Sequence, residues 1–143
     1  MSDRFRIRLA TKDDARLLYE WRNDESTRSM SKKKEQVHWD EHLKWLNSRL
    51  SMEQPNLFIF EVDGDPVGTF RIDEKNVSYT VAPNRRNEGI AKKMLTEVRA
   101  RFGRLRAQIY AQNVASIKAA QTAGLEVAVL QDLSDQSETR IKR

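Results

Sequence analysis

Two short segments carry residue types that could do chemistry. In Val81-Ala82-Pro83-Asn84-Arg85-Arg86-Asn87-Glu88-Gly89-Ile90-Ala91, glycine and alanine flank the start of an apolar-periodic run, with two arginines beside them. A helix N-terminus offers unsatisfied N–H groups and about half a positive charge, and small residues let the backbone approach a ligand, so the segment suits a diphosphate. Read alone, R-x-x-G-x-A is equally a tight turn before a closely packed helix. The second segment, Asn113-Val114-Ala115-Ser116, reads as an N-cap asparagine with serine at N3, which satisfies helix amides with or without a ligand. A third pattern, His38-Trp39-Asp40-Glu41-His42, matches H-x-x-E-H, a zinc-peptidase signature. A catalytic zinc usually takes three protein ligands and the chain has 2 histidines, so no metal is expected.

The elements that must position these residues follow from period and punctuation. FRIRL (5–9) alternates as a strand, and Thr11-Lys12-Asp13-Asp14 then caps a helix through ARLLYEWRND. The polar stretch 24–36 has no period and reads as a loop, after which Trp39, Leu43, Leu46 and Leu50 fall on one helical face. LFIFEV (57–62), VGTFRID (67–73) and VSYTV (77–81), joined by tight turns, predict an antiparallel meander. Ile90, Ala91, Met94, Leu95, Val98 and Phe102 then form the apolar stripe of a long helix that stops at Gly103. LRAQIYAQ (105–112) and LEVAVL (125–130) read as strands around a short helix ending at Gly124, and ETRIK near the C-terminus reads as a last strand. The order is β-α-α-β-β-β-α-β-α-β-(β), an α/β fold with a mixed sheet, taken as one domain over 1–143.

Composition excludes several classes. With Cys 0 there is no disulfide framework, thiolate metal site or cysteine nucleophile. MSDRFRIRLA lacks the apolar run of a secretory signal, and no stretch is apolar enough to span a bilayer, so a cytoplasmic location without membrane contact is expected. A net charge of +5 favours anionic partners. Residues 85–106 concentrate it, with eight basic side chains against Glu88 and Glu97. That run lacks the interleaved aromatics of a single-strand nucleic-acid surface, so no nucleic-acid partner is expected, and the solvated side of an amphipathic helix explains it as well.

Taken together, the two segments resemble the GNAT superfamily of acetyl-CoA-dependent N-acetyltransferases. The resemblance is composite: VSYTV, then V-x-P, then R-x-x-G-x-A opening a long helix, then a strand, then N-x-x-S-I and a helix ending in A-G-L, over residues 77–125. It implies that Asn87, Glu88, Gly89, Ile90, Ala91 and Lys92, with Arg86 beside them, cradle the coenzyme A diphosphate through backbone amides. Tyr79, Thr80 and Val81 would pair with pantetheine as an extra strand, an N–H near Val81 would polarise the thioester carbonyl, and Asn113 and Ser116 would hold the far end. Acetyl-CoA is the implied co-substrate, acetyl passes directly to a primary amine in a ternary complex, and a homodimer is possible.

The chain departs from the family where proton transfer is concerned. Many members carry a tyrosine acid seven residues after the asparagine, here Ala120, and some carry a base five residues before it, here Gln108. Neither moves protons at neutral pH. Tyr110 on the same strand is the candidate acid, and His42, flanking the apolar stripe of its helix, is the candidate base. Trp21-Arg22-Asn23-Asp24, the segment from His38 to Trp45 and VDGDPVGTFRID are similar to the sugar-nucleotide N-acetyltransferases of pseudaminic-acid biosynthesis. By that similarity the acceptor is the 4-amino group of a nucleotide-linked sugar, with Arg22 and His42 on its diphosphate or base and Trp21 or Trp39 stacking on a ring. A protein or peptide N-acetyltransferase and a non-catalytic acyl-CoA-binding module are the alternatives.

Overall fold

Alternation along LFIFEV organises the whole molecule, because its two faces meet two different helix layers. The computed structural model describes residues 4–30 and 35–131. β1 (Phe5–Leu9) precedes α1 (Ala15–Asn23), α2 (Glu25–Ser29) and α3 (Trp39–Leu50); β2 (Leu57–Val62), β3 (Asp65–Asp73) and β4 (Asn76–Val81) follow; then come α4 (Ile90–Phe102), β5 (Arg106–Tyr110), α5 (Val114–Thr122) and β6 (Glu126–Leu130). The sheet runs β1-β2-β3-β4-β5-β6, antiparallel from β1 to β4 and parallel from β4 to β6. On one face Phe60 and Val62 join the core built with Met94, Leu95 and Val98 of α4; on the other, Leu57 and Ile59 pack with Leu18, Trp21 and Leu46 of α1 and α3.

Local chemistry explains the connections. Asp63 and Gly64, both with positive φ, close the β2–β3 hairpin; Glu74 and Lys75, at φ 49° and 72°, close β3–β4 in a conformation that side-chain-bearing residues rarely adopt. Thr11 caps the turn before α1, its hydroxyl accepting from the Asp13 amide while Asp14 accepts from the Thr11 amide. Arg8 bridges Asp14 and Glu61, tying β1 and β2 to the turn before α1.

Two expectations change, and a third is not tested. The stretch 24–36 is not all loop: Asp24 accepts from the Thr27 amide and starts the one-turn helix α2. The buried face of α3 is centred on His42 and Leu46, while Trp39 remains 37% exposed. The ETRIK strand lies outside the described residues.

Candidate active site

β4 and β5 part company almost at once. Their only register pair is Asn76↔Arg106, and beyond it the strands splay, leaving a cavity of about 380 Å³ lined on one side by residues 76–80 and on the other by Gln108, Ile109 and Tyr110. The Ala82 amide bonds to the Val67 carbonyl of β3 at 2.8 Å. In an antiparallel ladder this direction alternates, so Thr80 also turns its amide to β3, while the amides of Tyr79 and Val81 face the open side. Of the three residues expected to pair with pantetheine, Tyr79 and Val81 therefore present backbone groups; Thr80 does not, because β3 already uses them.

Past β4 the chain takes a turn through Pro83–Arg85, and Asn87 (φ 65°) and Gly89 (φ 75°) adopt left-handed conformations that lead into α4. Gly89 is the N-cap and no side chain caps the helix, so the amides of Ile90, Ala91 and Lys92 lack the usual side-chain partner. A Cβ at Gly89 would meet nothing within 4 Å, so the space above the turn is open. An uncapped helix start below open space fits an anionic diphosphate. Glu88 is ion-paired with Arg85 at 2.9 Å, which offsets its charge there. Arg86 departs from expectation: its guanidinium contacts Asp24 (2.9 Å) and the Thr27 hydroxyl (2.7 Å), tying the turn to α2 instead of facing the amide cradle.

At the far side, Asn113 caps α5 by accepting from the Ser116 amide, and the Ser116 hydroxyl hydrogen-bonds the Tyr79 hydroxyl, which also donates to the Ser116 carbonyl. Burial pushes the Tyr79 phenol above its ordinary value, with Ser116 opposing, so it keeps its proton at neutral pH. Tyr110 is buried and lines the same cavity. Ala120 does not line it; fully buried, it belongs to the core beside α4, so its position is closed to a catalytic tyrosine.

His42 does not serve as a base. Its ring is fully buried, Arg22 Nη1 donates to Nδ1 at 3.2 Å, and Nε2 lies 2.8 Å from the Ala15 carbonyl. A guanidinium only donates and a carbonyl only accepts, so the ring is neutral with its proton on Nε2. Desolvation, with the Arg22 charge adding to it, holds its pKa below the ordinary value against the Ala15 hydrogen bond. Both nitrogens of this histidine are committed, which also removes it from any zinc site, and among the described residues no group of three or more His, Asp and Glu is placed to hold a metal.

The remaining acceptor candidates separate. Arg22 and Trp21 line the cavity, whereas Trp39 stands edge-on to Tyr19 and does not. Two residues that sequence reasoning passed over also line it: Trp45 of α3 and Arg71 of β3. Their signal was present in the alternation Thr69, Arg71 on one strand face and in the helical spacing of Trp45 from His42.

A family model described as Acetyltransferase (GNAT) domain matches residues 4–126. Among solved structures, the chain is similar to an N-acetyltransferase from Staphylococcus aureus Mu50, with 26% identity over 82% of this chain and 81% of that one and a TM-score of 0.61. It is similar to yncA from Salmonella typhimurium, a structure holding its cofactor acetyl-CoA, with 25% identity over 84% and 78% of the two chains and a TM-score of 0.61. Its fold is also that of spermidine N-acetyltransferase from Vibrio cholerae in complex with CoA and spermine, at 14% identity, 84% and 79% coverage and a TM-score of 0.73. No curated protein matches the sequence. No helix among the described residues is long and apolar enough to cross a membrane. Because the domain model runs through both halves of the sheet, from β1 to the first residue of β6, the chain belongs to the GNAT acetyltransferase family and, as such, is an acetyl-CoA-dependent N-acetyltransferase.

Proposed function

We propose that the acceptor is a small primary amine, specifically the amino group of a nucleotide-linked amino sugar. One observation carries this reading: a single cavity is lined both by the open edge of β4 and by Arg22 and Trp21, so an acceptor lying on α1 reaches the strand edge. When bound, acetyl-CoA supplies an activated acyl carbon. The uncapped amides of Ile90, Ala91 and Lys92 and the left-handed turn at Asn87 and Gly89 suit its diphosphate, and the Tyr79 and Val81 backbones suit an extended amide-bearing arm. The Val81 N–H is a fixed donor on that edge, the kind of group that stabilises charge growing on a carbonyl oxygen. Asn113 and Ser116 wall the opposite side.

Tyr110, on the cavity wall, is assigned as proton donor to the departing thiolate. Gln108 does not titrate and His42 is sequestered, so the amine loses its proton to solvent and the rate climbs with pH until the amine is neutral. Thiol release from acetyl-CoA, measured with UDP-4-amino-4,6-dideoxy sugars and with N-terminal peptides near pH 7 and pH 9, tests the reading. Sugar-dependent release that rises toward the higher pH and falls about 100-fold or more in Tyr110→Phe supports it. Release with peptides alone moves the assignment to protein acetylation. Silence across the panel with acetyl-CoA still bound overturns the nucleotide-sugar acceptor.

A further inference from the structure

Two elements bring positive charge to the acceptor end of the cavity, over an aromatic ring supplied by a third. Arg22 of α1 and Arg71 of β3 both line it, and both guanidinium carbons lie over the indole of Trp45, at 4.6 and 5.9 Å from the ring centroid. Among the described residues Arg22 has no ion-paired carboxylate; its Nη1 bonds the His42 ring, and Nε and Nη2 have no hydrogen-bond partner. Arg71 uses Nε toward Asp73 at 3.2 Å, and its two terminal nitrogens have no partner among the same residues. Asp73 is itself shared, with Arg49 at 2.8 Å and Asn56 at 2.8 Å, so one carboxylate faces two arginines. Glu35 is the one acid lining the cavity among the described residues, and Glu41 acts on Arg22 from α3.

Like charges are not brought to one partly buried wall without consequence. Burial and Arg71 both weaken the hold of Arg22 on its proton, with Glu41 opposing. Trp45 packs its flat face under both guanidinium groups, the neutral His42 ring holds Arg22 without neutralising it, Arg71 shares Asp73 with Arg49, and the unused guanidinium donors form forks that match the oxygens of a phosphate or carboxylate. We propose that Arg22, Arg71 and Trp45 form an oxyanion subsite, so that the acceptor is an amine carrying a phosphate or carboxylate group and not a polycation. This rests on the acetyl-transfer reading above and adds Arg71 and Trp45 as specificity-determining residues.

The test is binding to protein saturated with CoA, so that the diphosphate cradle at α4 is filled and added oxyanions report on the second site alone. UDP, inorganic diphosphate, succinate and spermidine are titrated against wild type, Arg22→Gln, Arg71→Gln and Arg71→Lys. UDP or diphosphate binding that weakens about tenfold or more in either glutamine variant, and weakens as salt rises from about 50 to about 300 mM, supports a phosphate-bearing acceptor. The same pattern with succinate alone supports a carboxylate-bearing one. Arg71→Lys is expected to recover part of the loss, and unchanged CoA affinity certifies that each variant is folded. Equal oxyanion binding by wild type and all variants, or spermidine binding where no oxyanion binds, overturns the subsite. If thiol release with an amine persists in that case, the acetyl-transfer reading stands and this inference alone falls; if CoA does not bind wild type, both fall.

Discussion

Replacing Gly89 separates the conformational requirement of the α4 turn from the space above it. Gly89 sits at φ 75°, and a Cβ there meets no protein atom within 4 Å, so a loss of coenzyme binding in Gly89→Ala cannot come from an internal clash. What an L-residue does encounter is the left-handed penalty of roughly 1–2 kcal/mol. If the chain escapes it by leaving the binding-competent turn, CoA affinity falls by the same free energy: about fivefold for alanine at the lower bound and about thirtyfold for β-branched isoleucine at the upper. Asparagine tolerates the left-handed region, so Gly89→Asn should bind within about threefold of wild type if conformation alone matters, and as weakly as Gly89→Ile if the ligand fills the open space. Folding stability is a poor mimic of this effect, because reduced unfolded-state freedom offsets about 0.4–1 kcal/mol of the strain. Isothermal titration with CoA reads the series directly. Wild-type affinity in all three variants would refute the placement of the coenzyme diphosphate on this turn.

Other expectations follow from the same geometry. His42 is neutral in the folded protein with its pKa held below 6.5, so its stabilising contribution is complete above that unfolded-chain value and is lost as pH falls from there toward the lower folded value. Urea midpoints between pH 7.5 and pH 5 should therefore drop, and His42→Gln should flatten that slope; an unchanged slope counts against the buried neutral ring. His42→Ala, which leaves a cavity and orphans the Ala15 carbonyl, should cost about 2–4 kcal/mol in the same denaturation assay. Placing Asn-Gly at Glu74 and Lys75 relieves two left-handed side-chain-bearing residues, and thermal unfolding should show a gain of about 1 kcal/mol. Ala120→Tyr overfills a fully buried position, so it should cost about 1–3 kcal/mol or more without raising the rate of thiol release; a faster enzyme would mean that the α5 position is open after all. Asp24→Ala removes both the α2 cap and the partner of Arg86 and should lower stability by about 1–2 kcal/mol, read by chemical denaturation.

What the amino-acid sequence determined by itself is the part governed by neighbours along the chain. Period-2 runs separated by short polar turns specify the β2–β3–β4 meander and the apolar stripe from Ile90 to Phe102 specifies α4, because each depends on local sterics and hydrogen bonding. The α2 turn escaped that reading since its one cap, Asp24, sits in an otherwise aperiodic polar stretch. Only the tertiary structure decided what the candidate site residues do. Burial and two hydrogen-bond partners arriving from α1 turned His42 from a base into a buttress for Arg22. An acid 62 residues away took Arg86 off the amide cradle. Arg22, Trp45 and Arg71 lie on three elements with no periodic relation among them, and they meet because the α1/α3 layer rests on the strand face that carries Arg71, a proximity set by packing.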